Sequence, residues 1–216
     1  MCFFVKIHTM NVYIEYFQNN WQQYLTYLGQ HIYISLLAIA VASCIGIPLG
    51  ILCEKNPKTR KILVGFFSTL RIIPSLAILV ILIPFMGIGV KPALVALSVL
   101  AVPPVLIQTT LGFAEVPEFI TEAATAMGMD EKMIFRKVSL PMALPHIIGG
   151  IKIASAEIIA SAALAAYIGS GGLGVIIYNG IALMKKEYLI IGGGSVALLT
   201  ILCTFVIGKI ERRFVK

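Results

Sequence analysis

The chain has 216 residues, of which 59% are hydrophobic and 12% charged, and its mean hydropathy is +0.95. A soluble domain of this size carries roughly a quarter of its residues charged, so much of this surface must face lipid. The net charge of +7 lies in loops between apolar runs. That distribution argues against a nucleic-acid partner and for a multi-pass membrane protein.

From the N-terminus, MCFFVKIHTMNVYIEYF has neither a long apolar core nor a small-residue cleavage site, so no removed signal peptide is expected. Residues 11–30, NVYIEYFQNNWQQYLTYLGQ, are aromatic and amphipathic without the apolarity of a span. Trp21, Tyr24 and Tyr27 suit a helix in the outer interface, and residues 1–30 are assigned to that segment. The alternative for 11–30 is a sixth span.

About 20 apolar residues cross the hydrocarbon core, and five stretches qualify: 31–52, 62–86, 93–113, 147–168 and 189–210. The second contains Arg71, Pro74 and Pro84, and the third Pro103-Pro104. Such breaks are tolerated where neighbouring helices shield the loosened backbone, which points to an all-α packed bundle. With the N-terminus outside, eleven Lys and Arg residues lie in cytoplasmic segments against four in outer ones. The expected topology is therefore N-terminus out and C-terminus in, with 114–146 as a cytoplasmic loop and 211–216 as a basic cytoplasmic tail.

Ionisable groups at membrane depth are costly and face a partner or a cavity. Arg71 and Glu157 each lie roughly 15 Å from the cytoplasmic side, so an intramembrane pair is expected. The alternatives are an interfacial Arg71 before a shorter span, or a Glu157 that lines the pathway alone. Lys152, nearer the edge, is expected to snorkel.

Within the cytoplasmic loop, TEAATAMGMDEKMIFRKVSLP at 121–141 stands apart from the apolar chain around it. Val116–Met127 reads as a helix with Glu115, Glu118 and Glu122 on one face and Phe119, Ala123 and Met127 on another. Gly128 suits a left-handed C-terminal cap and Asp130 an N-cap for a second, basic helix that Leu140-Pro141 ends. A solvated connector between spans explains the composition equally well.

Residues 169–174, GSGGLG, match the dinucleotide-binding spelling but follow an apolar helix rather than a strand, so a glycine-rich turn is expected instead. No G-x-x-x-x-G-K-[ST] run occurs. Asp130 is the sole aspartate, and His8, His31 and His146 lie in separate segments. No catalytic set, metal site or cofactor of its own is expected, and the chain reads as a non-enzyme. Cys2, Cys44, Cys53 and Cys203 are scattered and read as small buried hydrophobes.

Glu122-Ala123-Ala124, Gly128 after three residues, and Val138-Ser139-Leu140-Pro141 after nine more resemble the EAA motif of ABC-importer permeases, with Val138 in place of the usual Ile. The resemblance runs over residues 28–213 and implies a type I importer permease bundle. In that family, Glu122, Ala123, Ala124, Gly128, Leu140 and Pro141 belong to coupling helices seated in a groove of a separate ATPase, which carries ATP-Mg. The implied partners are two ATPase subunits, an identical or homologous permease, and an extracellular solute-binding protein. IGIPLG at 45–50, IPSLA at 73–77, PFMGIG at 84–89 and ALAAYIGSGGLG at 163–174 resemble the branch for glycine betaine, carnitine and choline. Arg71 departs from that branch, where an uncharged polar residue is commoner. A quaternary amine would be held by cation–π contact, with Tyr167 and Tyr178 as outer-mouth contacts or simply as packing. The alternatives are a methionine permease or, from another class, a small channel or scaffold.

Overall fold

In the computed structural model the structure describes residues 2–214, with side chains from residue 14 onward apart from residue 55. Val215 and Lys216 of the expected basic tail lie outside the described residues. Every regular element among them is helical: α1 (Cys2–Lys55), α2 (Pro57–Leu70), α3 (Ser75–Ile81), α4 (Ile83–Met86), α5 (Val90–Ala114), α6 (Glu118–Ala126) and α7 (Glu131–Ile134). A π turn (Phe135–Ser139) leads into α8 (Leu140–Ala165), and a 3-10 turn (Ala166–Ile168) precedes α9 (Gly174–Ala182) and α10 (Lys186–Phe214). Among the described residues four stretches are long and apolar enough to cross a membrane, namely Ile14–Glu54, Val90–Ala114, Glu131–Ile168 and Lys186–Phe214. A fifth exists only as the broken pair α2 with α3–α4.

That break falls inside the span expected at 62–86, at one of the prolines already noted there. Helix α2 starts at Pro57 because Asn56 caps it, its Oδ1 accepting the N–H groups of Lys58 at 2.9 Å and Thr59 at 3.4 Å, with proline at the first helical position. The helix stops at Leu70, and the N–H groups of Ile72 and Ile73 fall back on the carbonyls of Thr69 and Leu70. Pro74 lacks an N–H and pushes the residue before it out of the helical region, so the ladder cannot continue.

Two expectations change. Residue 30 marks no structural boundary: the break falls at Asn20, where non-helical φ/ψ kinks α1, and the helix beyond it runs on into the first span. Leu140-Pro141 ends no helix. The π turn carries the chain around just before Pro141, with the Leu140 N–H bonded to the Phe135 carbonyl, and α8 follows without interruption. A wide turn absorbs the register that an α-helical proline would break against the carbonyl four residues back.

Contacts divide the chain into two compact units, residues 1–37, 75–97 and 159–200, and residues 38–74, 98–158 and 201–216. In the second, α1 and α5 meet through Gly46 and Gly50. A Cβ on Gly50 would lie 2.5 Å from Thr109 Cβ, and one on Gly46 3.0 Å from Val105 Cβ. The pair is one helical turn apart, a small-residue stripe of the kind that lets membrane helices approach closely. Phe113, Ala143 and Ile147 form a buried cluster nearby, with Ile47, Ile51, Phe135, Leu140 and Ile151 packed against it. In the first unit Leu79, Leu97, Ile168, Leu173 and Ile176 are fully buried. An aromatic group also lies there: Tyr16 meets Tyr188 edge-on at 4.9 Å, and Trp21 stacks on Tyr24 at 6.0 Å.

Candidate functional site

The segment singled out by its charge folds as a hairpin. Helix α6 ends in a double hydrogen-bonded turn, with Gly128 N–H to the Thr125 carbonyl at 2.9 Å and Met129 N–H to the Ala124 carbonyl at 3.1 Å. Gly128 sits at φ +84°, the left-handed position such a turn requires. Asp130 Oδ1 then accepts the Met133 N–H at 2.7 Å and opens α7.

The residues of the motif do not all face the same way. Ala124 is 1% exposed and packs inside the hairpin, whereas Glu122, Ala123, Gly128 and Pro141 are exposed. A Cβ on Gly128 would meet nothing within 4 Å, so within this chain its backbone angle, not space, demands glycine. Leu140 points inward against the Phe113–Ala143–Ile147 cluster. Phe135, at the foot of the hairpin, stacks on Phe113 with ring centroids 5.6 Å apart and planes 6° from parallel. Glu115 and His146 add a polar tie at 3.0 Å. The foot is thus clamped while Phe119 and Met127, 69% and 71% exposed, stand in the open.

Arg71 and Glu157 come together: Arg71 Nη2 donates to Glu157 Oε1 at 2.5 Å, although the two side chains remain 43% and 39% exposed. Arg71 is the C-cap of α2, at the break before Pro74. Lys152 does not snorkel. It donates to Glu211 Oε2 on α10, so its charge is balanced within the protein.

Tyr167 and Tyr178 are also neighbours, with ring centroids 5.7 Å apart. Burial, and secondarily the Tyr167 hydroxyl, raise the Tyr178 pKa above its usual value, so Tyr178 stays a neutral donor at physiological pH. The glycine run between them folds against Gln30 and His31, which no local sequence signal marks as its partners. Gln30 Oε1 accepts the Gly172 N–H at 3.0 Å, and a Cβ on Gly171 would lie 2.3 Å from the same oxygen. His31 is buried with its Nε2 3.0 Å from the Ile159 carbonyl, so Nε2 donates. The run follows a 3-10 turn, not a strand, which removes the context a dinucleotide site needs.

The family model described as "binding-protein-dependent transport system inner membrane component" matches residues 46–216. The carnitine transport permease protein OpuCB of Listeria monocytogenes is 36% identical over 204 residues, 94% of each chain. The glycine betaine/carnitine/choline transport system permease protein OpuCB of Bacillus subtilis is similar to the same extent. The osmoprotectant import permease protein OsmW of Salmonella typhimurium is 33% identical over 92% of this chain and 94% of its own. Among solved structures, the MetNI methionine ABC transporter in inward-facing conformations superposes with a TM-score of 0.78 at 26% identity, over 88% of this chain and 95% of that one. With several helices able to span a membrane and a family match over most of its length, this chain belongs to the inner membrane components of binding-protein-dependent transport systems.

Proposed function

We propose that the chain is the membrane-spanning permease subunit of an ATP-driven importer for quaternary-amine osmoprotectants, namely glycine betaine, carnitine and choline. It works beside an identical or homologous permease. ATPase subunits carrying ATP-Mg dock at its cytoplasmic face, and an extracellular binding protein delivers the solute. The chain itself holds no cofactor and performs no hydrolysis. Its N-terminus is outside and its C-terminus inside.

One observation supports the coupling role above the rest: a hairpin with a rigid foot and an open tip. Glu122, Ala123, Phe119 and Met127 offer the ATPase a small, partly apolar surface. Phe135 and Leu140 pass its displacement to the cluster built from α1, α5 and α8, because a close-packed interior transmits movement rather than absorbing it. Closure of the ATPases then reorients the bundle between outward and inward access. The solute class follows the relatives, which match nearly the whole chain and whose names carry carnitine, glycine betaine and choline. Tyr167 and Tyr178 lie close enough to share a trimethylammonium group by cation–π attraction. A methionine permease is the second reading, favoured by the MetNI superposition, but at lower identity.

Gly128→Leu forces a branched side chain into φ +84°. It should leave membrane insertion intact, weaken co-purification with the ATPase and abolish uptake in cells expressing the complete importer. Normal solute accumulation in that variant would remove the coupling role.

A further inference from the structure

Arg71 and Glu157, expected at membrane depth from their sequence positions, form an ion pair whose two side chains remain about two-fifths exposed in this chain. Hydrocarbon cannot cover such groups, so they face water or protein. Arg71 occupies the break between α2 and α3, and interrupted membrane helices are tolerated where they line a cavity. A broken helix and a half-exposed ion pair thus coincide at one point.

We propose that Arg71 and Glu157 together form a transit site selective for zwitterions that carry a quaternary ammonium at one end and a carboxylate at the other. The inference rests on the osmoprotectant reading above. The 2.5 Å contact between the side chains opens as the solute enters. Its carboxylate takes the two parallel N–H donors of the Arg71 guanidinium, and its trimethylammonium group lies against the Glu157 carboxylate. One ion pair is exchanged for two, and the net charge at the site stays zero throughout. Choline brings only the cation. It engages Glu157 and leaves Arg71 without a carboxylate, so it forgoes the bidentate contact that the zwitterions make. Arg71 is therefore the discriminating residue and Glu157 the one common to all trimethylammonium solutes.

The test uses the complete importer in proteoliposomes, with glycine betaine, carnitine and choline each saturating the binding protein, so that uptake reports the membrane step. Arg71→Gln should lower the ratio of zwitterion uptake to choline uptake by roughly tenfold or more. Glu157→Gln should lower uptake of all three. A ratio unchanged in Arg71→Gln overturns the proposal. Should Arg71→Gln fail to assemble with the ATPase, Arg71→Lys decides. It keeps the cation but loses the fork of donors, so the ratio should still fall, and an unchanged ratio again overturns the proposal. Wild type that carries choline but neither zwitterion sinks the dyad alone. Wild type that carries none of the three sinks the osmoprotectant reading itself, and the dyad's role with it.

Discussion

Two glycine-punctuated turns in this chain share positive φ angles but differ in the space around them. In the run at 169–174 the space beside Gly171, Gly172 and Gly174 is occupied. A Cβ on Gly174 would stand 2.0 Å from the Ala163 carbonyl, and Gln30 fills the room beside Gly171 and accepts the Gly172 N–H. At Gly128 the space is empty and only the φ of +84° calls for glycine. The first turn finds its partners within its own chain. The second is locally complete, with both turn hydrogen bonds made, yet exposes large apolar side chains on either side of the turn. The hairpin thus satisfies its backbone and leaves Phe119 and Met127 uncovered, as the proposed ATPase contact requires.

The sharpest way to break that contrast is to add one methyl group at each turn. Gly174→Ala forces the α9 start away from a backbone carbonyl that cannot swing aside, and should cost about 3 kcal/mol. Gly128→Ala meets no atom and carries only the left-handed penalty, roughly 1 kcal/mol. Thermal unfolding of the detergent-purified permease would read the difference. Equal losses at the two sites would mean that the glycine run is as open as the hairpin tip.

Neighbouring alanines sharpen the point within the hairpin. Ala124 is buried and Ala123 exposed, so Ala124→Leu overpacks the turn and should cost about 2 kcal/mol. Ala123→Leu should leave the isolated chain within roughly 0.5 kcal/mol of wild type. In the complete importer the order reverses in kind: Ala123→Leu should impair ATP-driven uptake despite its normal stability. An Ala123→Leu chain that folds and transports normally would show that this face meets no partner.

What could be read from residues alone follows the range of the forces involved. Gly128 and Asp130 were legible because a C-cap and an N-cap act over three or four residues, and the third span at 93–113 matches α5 closely because apolar length is a local property. Pro74 is visible in the sequence, but the 88° bend beside it is not, because apolar length reveals nothing of the neighbouring helices that set the angle. Leu140-Pro141 looked like a terminator because a π turn reads no differently from an α turn in sequence. Lys152 finds Glu211 59 residues away, and Gly172 finds Gln30 142 residues away. No periodicity links such pairs, so a snorkelling lysine and an unassigned glutamine were the natural readings. Arg71 and Glu157 are also distant in sequence, yet equal depth and opposite charge were enough to suggest them, because the membrane removes most other partners.

The smallest effect concerns Asp130. Its carboxylate accepts the Met133 N–H at 2.7 Å, one of the orphan donors at the start of α7. Asp130→Ala should cost about 1 kcal/mol, the usual worth of an N-cap, and Asp130→Asn should recover most of it because the acceptor oxygen remains. The loss is bounded because the far end of the short helix is held independently, by Phe135 stacked on Phe113. Only the first turn is free to fray. Uptake should therefore fall partially in Asp130→Ala and recover with the asparagine, a graded response that separates the hydrogen bond from the charge. If asparagine fails to rescue, the negative charge itself matters at the exposed tip, and the contrast between a closed glycine run and an open hairpin gains an electrostatic side: the open turn would be shaped for a basic surface as well as an apolar one.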